Sequence, residues 1–508
     1  MNIQPALPQR TLSRRPIPNS FIVSTSKHKA GQLDSLQGLQ VQKVLGEAGD
    51  TTMLLVEAEK ESSIDGLEGR VFPNFEYEGQ LFDQPFQGEA PPASGGELPR
   101  HLQIIDAKTA WSVSKGSPDA TSAVTDTGLD MQHPVLAGTH RHNPNEIAGN
   151  GVDDDGNGKV DDTVGWDMSD NDNDPHTLGG RHHTHVQGIL HAQEGNSGAT
   201  GVAPEGQSMA IQITGGRRGY SSALMVESYL YALEQGAKSI NTSFNIDGFV
   251  GDQAIAETYR TLADNDVLLF NSAGNSGRLN SPRSAFEDIV LVASTDTAGA
   301  ATDRKSSFSN YGQGVDIAAP GRDVVSTLPR ERTGALSGTS MASPTAMGVD
   351  LLVRAAHPDW NRAQRWAQIV GTADNIDAAN PKLKDQLGGG RVNAGRALTE
   401  TIGPPSLSFK PERDKVTVRF DSVFDPETVN NPEAFQVYNE GGEVVTSGVP
   451  REVRLLTNQV DFNLNSLAPG KYRMVASAEH LADPFGQPLD GNGDGTAGDN
   501  AVLEFTRS

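Results

Sequence analysis

Cysteine is absent from all 508 residues. A disulfide framework, a zinc–thiolate site and thiol catalysis are therefore excluded. Long apolar runs are absent as well, since nothing approaches the roughly 20 residues of a membrane-spanning helix. Basic residues are in deficit: 41 Lys and Arg stand against 65 Asp and Glu, a formal net charge of −24. Such a chain repels nucleic acid and anionic membrane, so neither is expected as a partner. The balance suits calcium and a salty or extracellular solvent. The first twenty residues carry Arg10, Arg14 and Arg15 among four prolines and hold no apolar stretch of signal-peptide length.

What is present is enough for several folded units. Hydrophobic residues make up 36% and charged residues 21%, which excludes wholesale disorder. Residues 1–20 read as a flexible arm. From 21 to 78 the pattern is that of a small α+β unit, with strands expected at Phe21-Ile22-Val23, Thr52–Val56 and Val71-Phe72. Residues 79–99, rich in Gly, Pro and Glu, read as a linker. From 100 to 400 strands and helices alternate. Ala123-Val124, Ser239–Phe244, Val267–Phe270 and Ile289–Ala293 are apolar strands; 182–191, 222–235, 252–264 and 340–355 are helices. That alternation predicts a parallel sheet covered on both faces. Residues 404–508 change to short alternating strands such as Lys415–Phe420 and Val460–Leu464, the pattern of a β-sandwich.

Three islands carry chemistry. Asp126-Thr127-Gly128 ends an apolar strand. His182-His183-Thr184-His185 opens a helix. Ser337-Gly338-Thr339-Ser340-Met341-Ala342-Ser343-Pro344 places a serine at another helix N-terminus. Each alone has a plain structural reading: a strand-end carboxylate, surface histidines, a helix cap. Together they form Asp, His and Ser in chain order, and they resemble the subtilisin-like serine peptidases, the subtilase family. Gly201-Val202-Ala203-Pro204, Asn271–Gly277 and Gly390-Arg391-Val392-Asn393-Ala394 extend the resemblance across about residues 100–400.

The resemblance implies a subtilisin-like α/β fold, a parallel sheet with helices on both faces, preceded by a small α+β prodomain and followed by an Ig-like β-sandwich. It implies a serine endopeptidase in which Ser340 is the nucleophile, His182 the base and Asp126 its orienting partner. Asn275 would supply the side-chain oxyanion donor beside the Ser340 backbone N–H. Asn241-Thr242-Ser243-Phe244-Asn245 would pair with substrate as an added strand, facing Ser272-Ala273-Gly274 across the P1 pocket. Two positions depart from the family pattern, which has glycine at both: His183, expected to crowd the helix start, and Asn245, expected to narrow the cleft. The expected partners are protein or peptide substrates and the chain's own prodomain, with cleavage between 77 and 100 and a mature start near Leu102-Gln103-Ile104. The mature protein is expected to be secreted and monomeric. The alternative is a catalytically weak or inactive subtilase fold used for binding or adhesion. An esterase would need Gly-x-Ser-x-Gly and the order Ser, Asp, His, and neither occurs around Ser340. A zinc reading of His182, His183 and His185 lacks the Glu of a metallopeptidase helix.

No catalytic cofactor is expected, but structural calcium is. Asp153, Asp155, Asn157 and Asp161 lie in a Gly-rich acidic loop that resembles the opening of a calcium site, although the twelfth position is Val164 rather than Glu. Asp490, Asn492, Asp494 and Asp499 repeat the spacing near the C-terminus.

Overall fold

The computed structural model describes residues 13–33, 36, 38–64, 67–78, 97–195, 198–215, 220–299 and 302–507, together with the backbone of 86–88. The N-terminal unit comprises β1 (Ser13–Ser26), α1 (Lys27–Leu33), β2 (Leu39–Ala48), β3 (Thr51–Ala58) and β4 (Arg70–Glu78). β1 starts inside the stretch expected to be a flexible arm. Residues 13–16 pair with β4, from Ser13 opposite Glu78 to Pro16 opposite Phe75, and Arg15 forms an ion pair with Glu76 at 2.8 Å. Pro18 is accommodated because the register slips between Pro16 and Phe21, where no ladder N–H is required. Within the expected linker, β5 (Phe86–Gly88) is a strand; residues 79–85 and 89–96 lie outside the described residues.

The central unit runs α2 (Arg100–Ile104), α3 (Ala107–Ala110), β6 (Ser122–Asp126), β7 (Gly165–Asp167), α4 (Arg181–His191), β8 (Ser208–Gln212), β9 (Tyr220–Ser221), α5 (Ser222–Glu234), β10 (Ser239–Thr242), α6 (Gln253–Asp264) and β11 (Leu268–Ser272). It continues through β12 (Ile289–Thr295), β13 (Ile317–Pro320), β14 (Val324–Leu328), β15 (Arg332–Ser337), α7 (Thr339–Ala356), α8 (Arg362–Gly371) and α9 (Ala394–Thr399). Seven strands form one parallel sheet in the order β13-β12-β11-β10-β6-β8-β7. Successive residues of a strand serve opposite faces. Leu269 and Leu291 pack with α5 and α6, whereas Leu268, Phe270, Val290 and Val292 pack with α4 and α7.

α5 is apolar nearly all round, and a helix of that kind must be covered on every side. The central sheet covers one side. The N-terminal sheet covers the other, with Ile22, Leu45, Met53, Phe72 and Tyr77 in the same core as Leu224, Leu230 and Tyr231. β9 joins the N-terminal sheet as its edge strand, giving the order β2-β3-β1-β4-β9. One charge of α5 is enclosed in this contact. Glu227 is 1% exposed and is held by Lys43 at 2.5 Å and Lys159 at 2.9 Å. The two cations, with their hydrogen bonds, outweigh burial and keep its carboxyl below the ordinary range.

The C-terminal unit comprises β16 (Leu407–Pro411), β17 (Lys415–Phe420), α10 (Pro426–Val429), β18 (Phe435–Asn439), β19 (Val444–Ser447), β20 (Gln459–Asn463), β21 (Gly470–Ala476) and β22 (Ala501–Arg507). Two antiparallel sheets, β16-β17-β20 and β19-β18-β21-β22, share a core of Val416, Val418, Phe435, Val437, Val460 and Met474. Arg454 ties this unit to the central one through Asp288 at 2.5 Å and Asp264 at 3.0 Å. Among the described residues no helix is long and apolar enough to cross a membrane.

Candidate active site

The chemistry-bearing residues collect at the carboxyl ends of β6, β10 and β11, where the loops of a parallel sheet converge. Asp126 is the last residue of β6 and is fully buried. Its Oδ1 accepts the Thr127 N–H at 2.7 Å, and the His182 Nδ1–H donates to the carboxylate, 2.8 Å from Oδ2. Burial opposes the negative charge, but the charge and hydrogen bond of the His182 ring prevail and hold the carboxyl below its usual range.

His182 reaches Asp126 because α4 starts tightly against the loop after β6. A Cβ on Gly180 would stand 1.8 Å from the Gly128 carbonyl oxygen, so only glycine permits that approach. Thr184 fixes the turn. Its hydroxyl donates to the Gly180 carbonyl at 2.7 Å and accepts the Asp130 N–H at 3.0 Å. The β14–β15 hairpin holds the same turn from the other side, with the Thr327 hydroxyl donating to the Thr184 carbonyl at 2.6 Å.

His183, expected to crowd the helix start, is accommodated there. Its side chain is fully buried beneath α4, and burial lowers its pKa to about 4, so the ring is neutral at neutral pH. The bulk is taken up inside the fold and the register of His182 is undisturbed.

Ser340 sits in the first turn of α7. Its hydroxyl donates to the Ser243 carbonyl at 3.0 Å, and the Ser243 hydroxyl donates back to the Ser340 carbonyl at 3.0 Å. Thr125 and Thr242 are register partners on the adjacent strands β6 and β10. The next residues are Asp126 and Ser243, so their two partners, His182 and Ser340, are brought to neighbouring strand ends. Asn275 accepts both the backbone N–H and the hydroxyl of Thr339 on its Oδ1, at 2.9 and 2.8 Å. That turns Nδ2 the other way. Nδ2 and the Ser340 nitrogen each lie 3.6 Å from the point a Cβ on Gly338 would occupy, so both donors border one space that glycine leaves open.

The residues expected to bind substrate divide into two groups. Asn241 and Thr242 are turned inward: Asn241 donates to the Ser243 hydroxyl at 2.9 Å and accepts the Ser343 hydroxyl at 2.7 Å, and the Thr242 hydroxyl donates to the Tyr229 hydroxyl at 3.4 Å. Ser243, Phe244 and Asn245 follow β10; Ser272, Ala273 and Gly274 close and follow β11 beside them. Asn245 does not narrow the space between them. It is 2% exposed, and its Oδ1 accepts the Asp247 N–H at 2.9 Å and Arg283 Nη2 at 3.0 Å.

Two acidic clusters could hold a cation. In the first, oxygens of Glu146, Asp155 and Asp162 lie within 4.8 Å of one another. Asp155 was expected there; Glu146 and Asp162 were not. Asn157 belongs to the cluster's rim, donating to Asp162 at 2.9 Å, and Asn143 donates to Asp155 and Asp162, both at 2.9 Å. Asp153 and Asp161, expected as ligands, are not among the three carboxylates of this group and accept backbone N–H groups beside it. Asp153 accepts the N–H groups of Gly156, Asn157 and Gly158, and Asp161 those of Asn150 and Gly151. Burial raises the Asp162 carboxyl above its ordinary value. In the second cluster Asp490, Asp494 and Asp499 gather, and Asn492 donates to Asp494 at 3.2 Å and to Asp499 at 3.0 Å.

Sequence reasoning also missed Thr339 and Arg283. Thr339 stood inside the serine motif and could have been read as the residue that aims Asn275. Arg283 offered no local signal.

The family profile described as "Subtilase family" matches residues 119–391. The chain is 34% identical to thermitase of Thermoactinomyces vulgaris over 306 residues, covering 58% of this chain and 94% of thermitase. It is 32% identical to the major intracellular serine protease of Bacillus subtilis (strain 168) over 332 residues, 62% of this chain and 92% of the relative. It is 30% identical to the halolysin-like extracellular serine protease Nep of Natrialba magadii over 302 residues, 58% of this chain and 50% of the relative. With that match across more than half its length, the chain belongs to the subtilase family and is a serine endopeptidase.

Proposed function

We propose that the chain cuts peptide bonds in proteins through Asp126, His182 and Ser340, with Asn275 and the Ser340 N–H as oxyanion donors. The Asp126–His182 hydrogen bond, at the strand end beside the Ser340–Ser243 pair, carries this reading. Asp126 fixes the tautomer that leaves His182 Nε2 as acceptor. The Ser340 side chain rotates from the Ser243 carbonyl toward His182, which takes its proton as Oγ attacks the substrate carbonyl. The carbonyl oxygen becomes negative in the space beside Gly338, where Asn275 Nδ2 and the Ser340 N–H donate to it. His182 returns the proton to the leaving amine, and the acyl group remains on Ser340. Water, activated by His182, then releases the acid and restores the serine. Substrate is held as a strand along Ser243–Asn245, with Ser272–Gly274 opposite.

The flanking units enter the same reading. Residues 21–78 act as an inhibitory prodomain that covers α5 and α6, extended by β1 from Ser13; the core shared with α5 and the β4–β9 pairing support it. Cleavage falls between 77 and 100, a stretch mostly outside the described residues. Residues 100–400 are the peptidase domain, and 404–508 an Ig-like accessory sandwich, supported by its two facing antiparallel sheets. Secretion is supported by the acidic composition and by the extracellular relative.

Calcium fits both clusters on donor chemistry, since three hard carboxylates held this close repel one another until a divalent cation neutralises them. Glu146, Asp155 and Asp162 would hold one ion, and Asp490, Asp494 and Asp499 another. When bound it supplies charge neutralisation and loop cross-linking.

A fluorophosphonate is expected to label Ser340 in the wild type, and intact mass to show loss of the N-terminal segment. Ser340→Ala should show neither. Undiminished peptidase activity in Ser340→Ala would overturn the assignment.

A further inference from the structure

We propose that Arg283 closes the floor of the P1 pocket and restricts this peptidase to small, uncharged side chains on the acyl side of the cut bond. The inference rests on the assignment of the pocket to Ser243–Asn245 on one wall and Ser272–Gly274 on the other. Arg283 lies in the short turn Pro282–Ala285 and is 1% exposed, although it is among the largest side chains of the interior.

A single nitrogen of Arg283 spans both walls. Nη1 donates to the Phe244 carbonyl at 3.3 Å on one side and to the Ser272 carbonyl on the other. It also reaches Ser272 Oγ at 2.9 Å and Asn271 Oδ1 at 3.2 Å. Nη2 donates to Asn245 Oδ1 at 3.0 Å and lies 3.6 Å from the point a Cβ on Gly274 would occupy. Nε donates to Asp247 Oδ1 at 2.7 Å.

Three properties of the pocket follow. Its depth is limited, because a side chain sliding between the walls meets the guanidinium plane. Phe244, Asn245 and Ser272 are each 2% exposed or less, so no open slot continues beyond. Its charge is neutral, because Asp247 compensates the guanidinium and every guanidinium nitrogen is committed. A basic side chain finds no free carboxylate there, and an acidic one meets a guanidinium whose charge Asp247 already compensates. Its width is fixed, because the planar fork holds Phe244 and Ser272 through Nη1 while Nη2 holds Asn245 and Nε holds Asp247, a set that one lysine ammonium cannot match. The two sequence oddities thereby explain each other: Asn245 stands where the family has glycine because its amide oxygen anchors Arg283.

The test uses the full chain with four peptides that differ only at P1: Ala, Phe, Glu and Arg. Wild type is expected to favour Ala over each of the others in kcat/KM by at least about tenfold. The double variant Arg283→Met, Asp247→Asn removes the pair without stranding a buried carboxylate. It should lose most of the discrimination against Phe, and the change should be read in KM for the Phe peptide more than in its kcat. Should the double variant not fold, Arg283→Lys must show the same relaxation. Wild type that labels normally but cleaves after Phe as fast as after Ala overturns the proposal alone, as does a folded variant with an unchanged profile. Wild type that neither labels nor cleaves any peptide overturns the triad reading and this inference with it.

Discussion

Asp126→Asn separates orientation of the base from the architecture around it. Oδ1 of Asp126 accepts the Thr127 N–H at 2.7 Å and also lies 2.9 Å from His182 Nδ1, whereas Oδ2 faces His182 at 2.8 Å, so the amide oxygen of an asparagine takes the Oδ1 place. Its NH2 group then faces His182 Nδ1. Two donors cannot share that 2.8 Å contact, so the imidazole proton shifts to Nε2. His182 can no longer accept the Ser340 proton. The expected loss in kcat is about 10⁴-fold, or about 5.4 kcal/mol of transition-state stabilisation. Stability changes far less. Losing a charge-assisted hydrogen bond costs about 1.5–3 kcal/mol, partly offset because a fully buried charge disappears with it. Steady-state kinetics on a chromogenic peptide, with thermal melting of the same samples, reads both quantities. A fall in kcat below about tenfold in a folded protein refutes the orienting role. A collapse of the melting transition would mean that the carboxylate is chiefly structural.

Asn275→Ala should lower kcat by about 10²–10³ with little change in KM, the magnitude found for the side-chain oxyanion donor of subtilisin itself; a KM effect alone would count against the assignment. Chelation should lower the melting temperature of wild type, and Asp162→Asn should remove part of that shift whereas Asp153→Asn, outside the group of three carboxylates, should remove less; calorimetry with and without added calcium decides it. Acid should destabilise the fold below about pH 6. Burial lowers His101 and His185 to about 3 and His183 and His191 to about 4, so the folded protein stays unprotonated where the unfolded chain, near 6.5, takes up protons. The stability these neutral rings contribute is therefore complete above 6.5 and falls as pH drops toward 4, by about 1.4 kcal/mol per pH unit for each ring. A melting temperature flat between pH 6.5 and 4.5 would contradict this.

Local patterns carried much of the architecture. The apolar strands near 123, 239, 267 and 289 and the helices near 182, 222, 252 and 340 lie where their periodicity put them, because each buries its own apolar residues whatever its neighbours are. Two readings failed where a neighbour decided. The N-terminal arm pairs from Ser13 because β4 offers Glu76 and Glu78 opposite Arg15. Strand β7, three residues long, is missing from the strands expected between 100 and 400 and forms because β8 offers it an edge.

The candidate site shows the same division. The sequence alone determined which residue types meet. Asp126, His182, Asn275 and Ser340 stand in motifs whose spacing matches the sites where strands end and helices begin. Tertiary structure decided what surrounds them. Asp153 and Asp155 look alike in the chain, but one accepts three backbone amides and the other is gathered with Glu146 and Asp162 within 4.8 Å. Arg283 is an unremarkable charge in the sequence. It becomes a brace between two walls only because β10 and β11 run side by side, and bonds to both ends exist only once the sheet has formed.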